Sequence, residues 1–369
     1  MASKTIILAA GGTGGHIFPA EALAEVLRAR GYEPHLVTDK RFHHYNKNSA
    51  ETVLGQIPIH TIHAGNFGGG ILSKVKNLFG ILRGILQAGY LIGKLDPIAV
   101  VGFGGYPSFP TMVGAILARR RTILHEQNSV LGKVNRVLAG RVSRIATTYA
   151  ATQQVPEKAA SRVVRSGNPV RGSVQTLAKF NYPELGEDGM MRLLVIGGSQ
   201  GASVFSEVVP AAMALLPQRL RARIRLDQQC RSVEIESTRE KYGSIGMQVD
   251  LQPFFTDMAA RLAAAHLVIS RAGASSVAEL MVAGRPALLV PLPTATDNHQ
   301  YFNAQAIEDH EAGWVVTQDA FTPEALAAKL ENLLRLPRRL AELASHMHAL
   351  GLPDAADKLA DIVLEPSMS

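Results

Sequence analysis

The chain has a single cysteine, Cys230, in 369 residues. No internal disulfide can form, which fits a reducing compartment. Only 19% of its residues are charged against 47% hydrophobic, and no low-complexity tract interrupts it. That balance excludes a solvated, disordered polymer. No uninterrupted apolar stretch reads as long enough to span a bilayer. Met1–Ala10 runs straight into an apolar strand without a basic leader or cleavage site, so a cytosolic chain able to sit on a membrane is expected. H-E-x-x-H spacing is missing, which argues against zinc, and so are the lysine and hydroxyl residue of a Walker A loop.

What is present points to two domains, because 369 residues exceed one ordinary core. The formal charge is +7 and the pI about 9.5, favouring anionic partners such as nucleic acid, anionic lipid or phosphorylated substrates. The basic surplus is local. From Thr52 to Leu95 there is no Asp or Glu, while Lys74, Lys76, Arg83 and Lys94 fall inside that window.

Apolar runs of strand length alternate with amphipathic runs of helix length. Strands are expected at Thr5–Ala10, His35–Thr38, Ala99–Phe103, Thr122–Leu124 and Arg144–Thr147, with a helix at Ala20–Arg30. Such alternation implies parallel sheets with crossover helices, an α/β doubly wound architecture. The pattern then restarts: a short strand runs into GGTGGH, and a second, at Arg192, runs into GGSQGA. Gly11 and Gly197 lie half a chain apart. Further strands are expected at Arg223–Leu226, Leu267–Ile269 and Ala287–Val290. Two similar domains are therefore expected, residues 1–167 and 168–352, divided at SGNPVR, with a last helix in 353–369 returning to the first domain.

A glycine turn between strand and helix lets backbone amides approach an anion at the helix N-terminus. One such turn could be no more than a turn; two in register favour a ligand. The dinucleotide fingerprint fits Gly12-Thr13-Gly14-Gly15-His16-Ile17 only in its first two glycines, since Ile17 stands at the third. Asp39 after the next strand keeps a nicotinamide-dependent oxidoreductase as a rival. A third turn, Gly104-Gly105-Tyr106-Pro107-Ser108, follows the strand Ala99–Phe103 and should lie beside GGTGGH, where both could cradle a diphosphate.

His16 sits where the first turn becomes a helix. Its ordinary pKa near ~6.5 leaves much of it neutral and able to take a proton from a hydroxyl; capping or phosphate contact is an equal reading. His125-Glu126-Gln127-Asn128 follows another strand end, so Glu126 or Asn128 could meet substrate, while His125 could be a satisfied core residue. In the second half, Ala274, Ser275, Ser276, Val277 and Ala278 allow close backbone approach to a phosphate, and Glu279 could accept from ribose hydroxyls. Asp297-Asn298-His299-Gln300 could read sugar hydroxyls, and Arg171 could offset a departing diphosphate.

Ile71–Ile92 reads as a helix. Ile71, Leu72, Val75, Leu78, Phe79, Leu82, Ile85 and Leu86 fill an arc of about 140°, edged by Lys74 and Arg83. Core packing would explain a stripe of this kind, yet the all-positive flanks favour an anionic lipid interface. Nucleic acid fits worse, because the patch is aliphatic.

GGTGGH, FGGYPS, HEQN, GNPVR, GGSQGA, FFTDMA, SRAGASSVAEL and DNHQYFNA follow one another in an order that closely resembles the MurG family of peptidoglycan N-acetylglucosaminyltransferases (glycosyltransferase family 28). The resemblance covers nearly the whole chain. It implies a GT-B fold, two Rossmann-like parallel-sheet domains facing across a cleft. It also implies UDP-N-acetylglucosamine as donor, undecaprenyl-pyrophosphoryl-MurNAc-pentapeptide as acceptor and inversion at the transferred sugar. No cofactor or metal is implied, and no Asp-x-Asp pair of the kind that holds a donor-bound cation occurs. Residue by residue, His16 matches the general base and Thr13, Gly14, Gly15, Asn128, Arg171, Ser199 and Gln300 match donor contacts. Phe255 matches a position whose backbone reads uracil, Ala274–Glu279 the ribose-phosphate segment, and Ile71–Leu86 a membrane-association face. The implied place is the cytoplasmic face of the bacterial inner membrane, among other cell-wall synthesis proteins. A non-catalytic, membrane-bound nucleotide-sugar sensor is the remaining rival.

Overall fold

The computed structural model describes residues 4–11, 14–39, 42, 53–64, 71–198 and 202–366; the side chains of residues 71–77 are not among those described. Two compact units emerge, Met1–Arg171 with Asp354–Ser369, and Gly172–Pro353.

The first unit is built on a seven-stranded sheet. Its strands are β1 (Thr5–Ala9), β2 (Glu33–Thr38), β3 (Ile59–Thr61), β4 (Ala99–Gly102), β5 (Arg121–Glu126), β6 (Arg144–Thr147) and β7 (Val163–Arg165). Every pairing is parallel and the order is β3-β2-β1-β4-β5-β6-β7. Parallel strands are buried on both faces and so read as continuous apolar runs; β1 and β4 are buried at every position. One face packs against α1 (Gly14–Ala29) and the C-terminal helix Ala355–Leu364, with Ile17, Leu23, Leu27, Leu359 and Val363 in a single core. Arg30 fixes that last helix through Asp357 at 2.7 Å and Asp361 at 2.6 Å, and Arg121 donates to the carbonyl of Ile362 at 2.8 Å.

The other face carries α2 (Ile71–Leu95) and α3 (Ser108–Leu117). Small residues make their contact. A Cβ on Gly84 would strike the carbonyl of His63, and one on Gly114 would stand 3.3 Å from Ala88 Cβ. Gly84 and Ala88 therefore face inward with Ile92, while Leu78, Phe79, Leu82, Leu86 and Tyr90 face solvent. By length and composition Leu78–Leu95 could cross a membrane, with a mean hydropathy of 1.2. Arg83, Gln87 and Lys94 interrupt it, so it is not an uninterrupted apolar run. Within the structure Gly84, Ala88 and Ile92 pack inward toward α3, while most of the segment is left uncovered.

The second unit has six parallel strands: β8 (Met191–Ile196), β9 (Ile224–Gln229), β10 (Asp250–Gln252), β11 (Leu267–Ser270), β12 (Ala287–Leu289) and β13 (Gly313–Val315). Their order is β10-β9-β8-β11-β12-β13. Three of its helices matter below: α4 (Met258–Ala264), α5 (Ala274–Ala283) and α6 (His299–Glu308). In each unit the strand order reverses once, between β1 and β4 and between β8 and β11. Loops leaving the carboxyl ends of such strand pairs diverge around a crevice, the usual ligand position in open α/β sheets.

Candidate active site

At the reversal in the first unit the turns after β1 and β4 meet. The amide of Gly11 donates to the carbonyl of Gly104 at 3.1 Å. Gly104 and Gly105 hold φ of +89° and +77°, a region that L side chains avoid. Closeness forbids them side chains as well: a Cβ on Gly105 would lie 2.8 Å from Gly11 Cα, and one on Gly104 would lie 3.2 Å from His16 Cε1. The imidazole of His16, in the first turn of α1, thus lies flush against the backbone of both glycine turns, half-buried. Ser108 opens α3 at the far end of the second turn. It is wholly buried, and its Oγ has no hydrogen-bond partner. Tyr106 is half-exposed between them. His16, Gly104, Gly105, Tyr106 and Ser108 are therefore brought together. Gly14 and Gly15 begin α1 beside them, while Thr13 lies outside the described residues.

The polar run after Leu124 divides. His125 is fully buried; its Nε2 donates to the carbonyl of Gly167 at 3.0 Å and its Nδ1 accepts from Gln127 Nε2 at 3.0 Å. Burial pushes its pKa down to about 4, with the nearby His16 adding to the effect. Both ring nitrogens are occupied, so His125 is a neutral structural residue. Glu126 is likewise buried, where the sequence reading weighs it as a substrate contact. Its carboxylate accepts from Asn128 N and Nδ2, Gly132 N and Asn135 Nδ2, at 2.8–3.1 Å. Burial raises its pKa, and the four donors pull the other way. Its task is to shape the turn that presents half-buried Asn128. Arg171, at the end of the first unit, lays its guanidinium 5.1 Å from the centre of the Phe18 ring on α1.

In the second unit the turns after β8 and β11 flank the strand reversal. Gly198 takes φ +77°; Ser199 lies outside the described residues. Arg271 is buried. It donates to the carbonyls of Val290 and Pro291 at 3.1 and 3.2 Å and to Gln318 Oε1 at 2.6 Å. Asn303 of α6 donates to the carbonyl of Ala272 at 3.1 Å. These two side chains hold the turn that launches α5, whose first six residues are Ala274–Glu279. Ser275 Oγ at this helix start is buried without a partner. Gln300 accepts from Leu292 N at 3.0 Å, tying down the loop after β12, in which Asp297 and Asn298 take φ of +52° and +53°. Phe255 is 1% exposed. Asn303 and Gln127 are supporting residues that the sequence reading passed over. Their signal was position: each is an amide side chain inside a polar motif at a strand or helix end.

Two switch-point crevices, each with a glycine turn and a helix N-terminus, define a two-domain nucleotide-dependent α/β enzyme. Both halves match known domains: residues 6–147 the glycosyltransferase family 28 N-terminal domain, and residues 192–359 the family 28 C-terminal domain. The chain belongs to glycosyltransferase family 28. It is 49% identical over 360 residues to a protein of Paramagnetospirillum magneticum, covering 97% of this chain and 96% of that one. It is 48% identical over 364 residues to one of Rhodospirillum centenum, covering 99% and 95%. Both relatives are named UDP-N-acetylglucosamine–N-acetylmuramyl-(pentapeptide) pyrophosphoryl-undecaprenol N-acetylglucosamine transferase. Among solved structures, Acinetobacter baumannii MurG matches with a TM-score of 0.79 and 27% identity, over 98% of this chain and 99% of that one.

Proposed function

We propose that this glycosyltransferase moves N-acetylglucosamine from UDP-N-acetylglucosamine to the 4-hydroxyl of MurNAc in undecaprenyl-pyrophosphoryl-MurNAc-pentapeptide, with inversion. The observation that carries the reading is the position of His16, lodged where two glycine turns cross. Backbone amides and a helix N-terminus favour an anion there, so an acceptor diphosphate held by Gly104, Gly105, Tyr106 and Ser108 brings its attached sugar to the imidazole.

His16 takes the proton of the 4-hydroxyl as that oxygen attacks the anomeric carbon; the glycosidic bond to UDP breaks on the opposite side and the diphosphate leaves with the electron pair. On the second unit Ser199, the α5 N-terminus from Ala274 to Ala278, and Gln300 hold the sugar diphosphate. Glu279 accepts from the ribose and the backbone at Phe255 reads uracil. Thr13, Gly14, Gly15, Asn128 and Arg171 complete the donor contacts, with Arg171 offsetting charge on the leaving group. A nicotinamide reading fits poorly, because Ile17 occupies the third glycine's place and is fully buried in the core.

The face of α2 gives the lipid acceptor a place to arrive from. Leu78, Phe79, Leu82, Leu86 and Tyr90 are each at least half exposed, with Arg83 and Lys94 exposed beside them; the side chains of Ile71, Leu72, Lys74 and Val75 lie outside those described. Aliphatic surface edged with cations suits a peripheral seat on the anionic cytoplasmic leaflet. The reading is tested by incubating the purified chain with labelled UDP-N-acetylglucosamine and the lipid-linked muramoyl acceptor. Labelled disaccharide lipid and stoichiometric UDP are expected. Nucleotide-sugar binding without UDP release would instead mark a sensor.

A further inference from the structure

A cluster behind Phe255 has no place in the chemistry above. Arg261, in the middle of α4, is 12% exposed along its side chain and uses every edge of its guanidinium. Nε donates to Asp257 Oδ1 at 2.7 Å, one NH2 group reaches Asp250 Oδ2 at 2.7 Å and the other Asp227 Oδ2 at 3.3 Å. Its guanidinium carbon lies over the Phe255 ring, 4.0 Å from the ring centre. The three carboxylates come from three places. Asp227 is on β9, Asp250 is its direct partner on β10, and Asp257 precedes the first residue of α4.

Like charges directly opposite on adjacent strands repel, and this pair is tolerated because one cation lies against both. Burial raises the pKa of Asp227, and the charge of Arg261 opposes that rise. Phe255 belongs to the connection from β10 to α4. Its ring is caught under the guanidinium while Asp257, two residues on, is hydrogen-bonded to the same group. One guanidinium thus holds the side chains of both Phe255 and Asp257.

We infer that Arg261 is the positioning residue for nucleobase selection: it sets the main-chain amide and carbonyl at Phe255 in the register that accepts uracil and refuses cytosine. The inference rests on the donor reading given above. Uracil offers a carbonyl oxygen and an N–H where cytosine offers an amino group and a bare ring nitrogen. A peptide held rigidly pairs with the first and leaves two unsatisfied groups against the second. A peptide free to shift by an ångström discriminates less.

The test measures the affinities of UDP and CDP for the wild type and for Arg261→Met and Arg261→Lys by calorimetry, with KM and kcat for the UDP-sugar alongside. The Met variant should lose roughly tenfold or more of the UDP-over-CDP preference, since small displacements of such contacts are costly. Its KM should rise while kcat stays within about twofold. Lysine keeps the charge but not the flat stack or the three-edged grip, so it should fall between; it carries the test if the Met variant does not fold. General destabilisation lowers the binding of both nucleotides equally and leaves their ratio alone. A selective wild type with equally selective variants overturns the inference and spares the donor reading. A wild type that does not prefer UDP overturns both.

Discussion

Gly11 and Gly105 touch backbone to backbone, so closely that a methyl group on Gly105 would lie 2.8 Å from Gly11 Cα. Two turns 94 residues apart in sequence are thus joined into one surface, and the His16 ring rests against it. Gly105→Ala must both force a side chain into the left-handed region and part the turns. We expect a loss of about 2–4 kcal/mol in stability, measured by urea unfolding, together with a fall in transfer rate. UDP should still bind through the contacts of the second unit.

The pH dependence of stability should carry a signature of His125. Its folded pKa is about 4, well below the ordinary 6.5, because burial disfavours the cation. An unfolded chain binds that proton first, so this contribution is whole above pH 6.5. It is lost as the pH falls from 6.5 to 4, amounting to about 3 kcal/mol in all. In histidine-labelled protein one imidazole resonance should remain unmoved from pH 7 to 5, and His125→Gln should abolish that resonance. Titration of this ring near pH 6.5 would show that it is not closed off from water.

Glu126→Gln places an amide N–H among four donors. Breaking a buried, fully bonded carboxylate typically costs about 3–5 kcal/mol, so a marked drop in unfolding free energy is expected. Asn128 loses its hold at the same time, and donor KM should rise.

Leu78→Asp with Phe79→Asp should remove binding to vesicles of anionic lipid and leave the circular dichroism spectrum and the turnover of a detergent-soluble acceptor unaltered. Both side chains are more than half exposed, at 57% and 69%, and support no core. Unchanged vesicle binding would sink the assignment of this face.

Much of the fold was legible because buried parallel strands leave an unbroken apolar imprint: Arg144–Thr147 and the C-terminal helix Ala355–Leu364 fall where the pattern put them. The strands that escaped, β3, β7, β10 and β13, are three-residue edges. β10 carries Asp250 and Gln252 around one buried leucine, too little for periodicity to register. The periodic pattern put the body of α1 at Ala20–Arg30, yet the helix begins at Gly14 although Gly14, Gly15 and Pro19 are poor helix formers. Tertiary packing overrides them, with Ile17, Ala20, Leu23 and Leu27 all fully buried. At the site, the glycine turns were visible as spacing. His125 was legible as a core histidine, while Glu126 was weighed as a substrate contact because sequence shows polarity but not burial. Arg261 gave no signal at all, since its three acidic partners are spread over 31 residues and meet only in the fold.

The account turns on a proton taken by His16. The most direct measurement is the single-turnover transfer rate of His16→Ala beside the wild type, with donor affinity determined on the same samples. A fall of about 10²–10⁴-fold in rate, with UDP-N-acetylglucosamine affinity held within about twofold, is the predicted result. A variant that transfers sugar at the wild-type rate would contradict it.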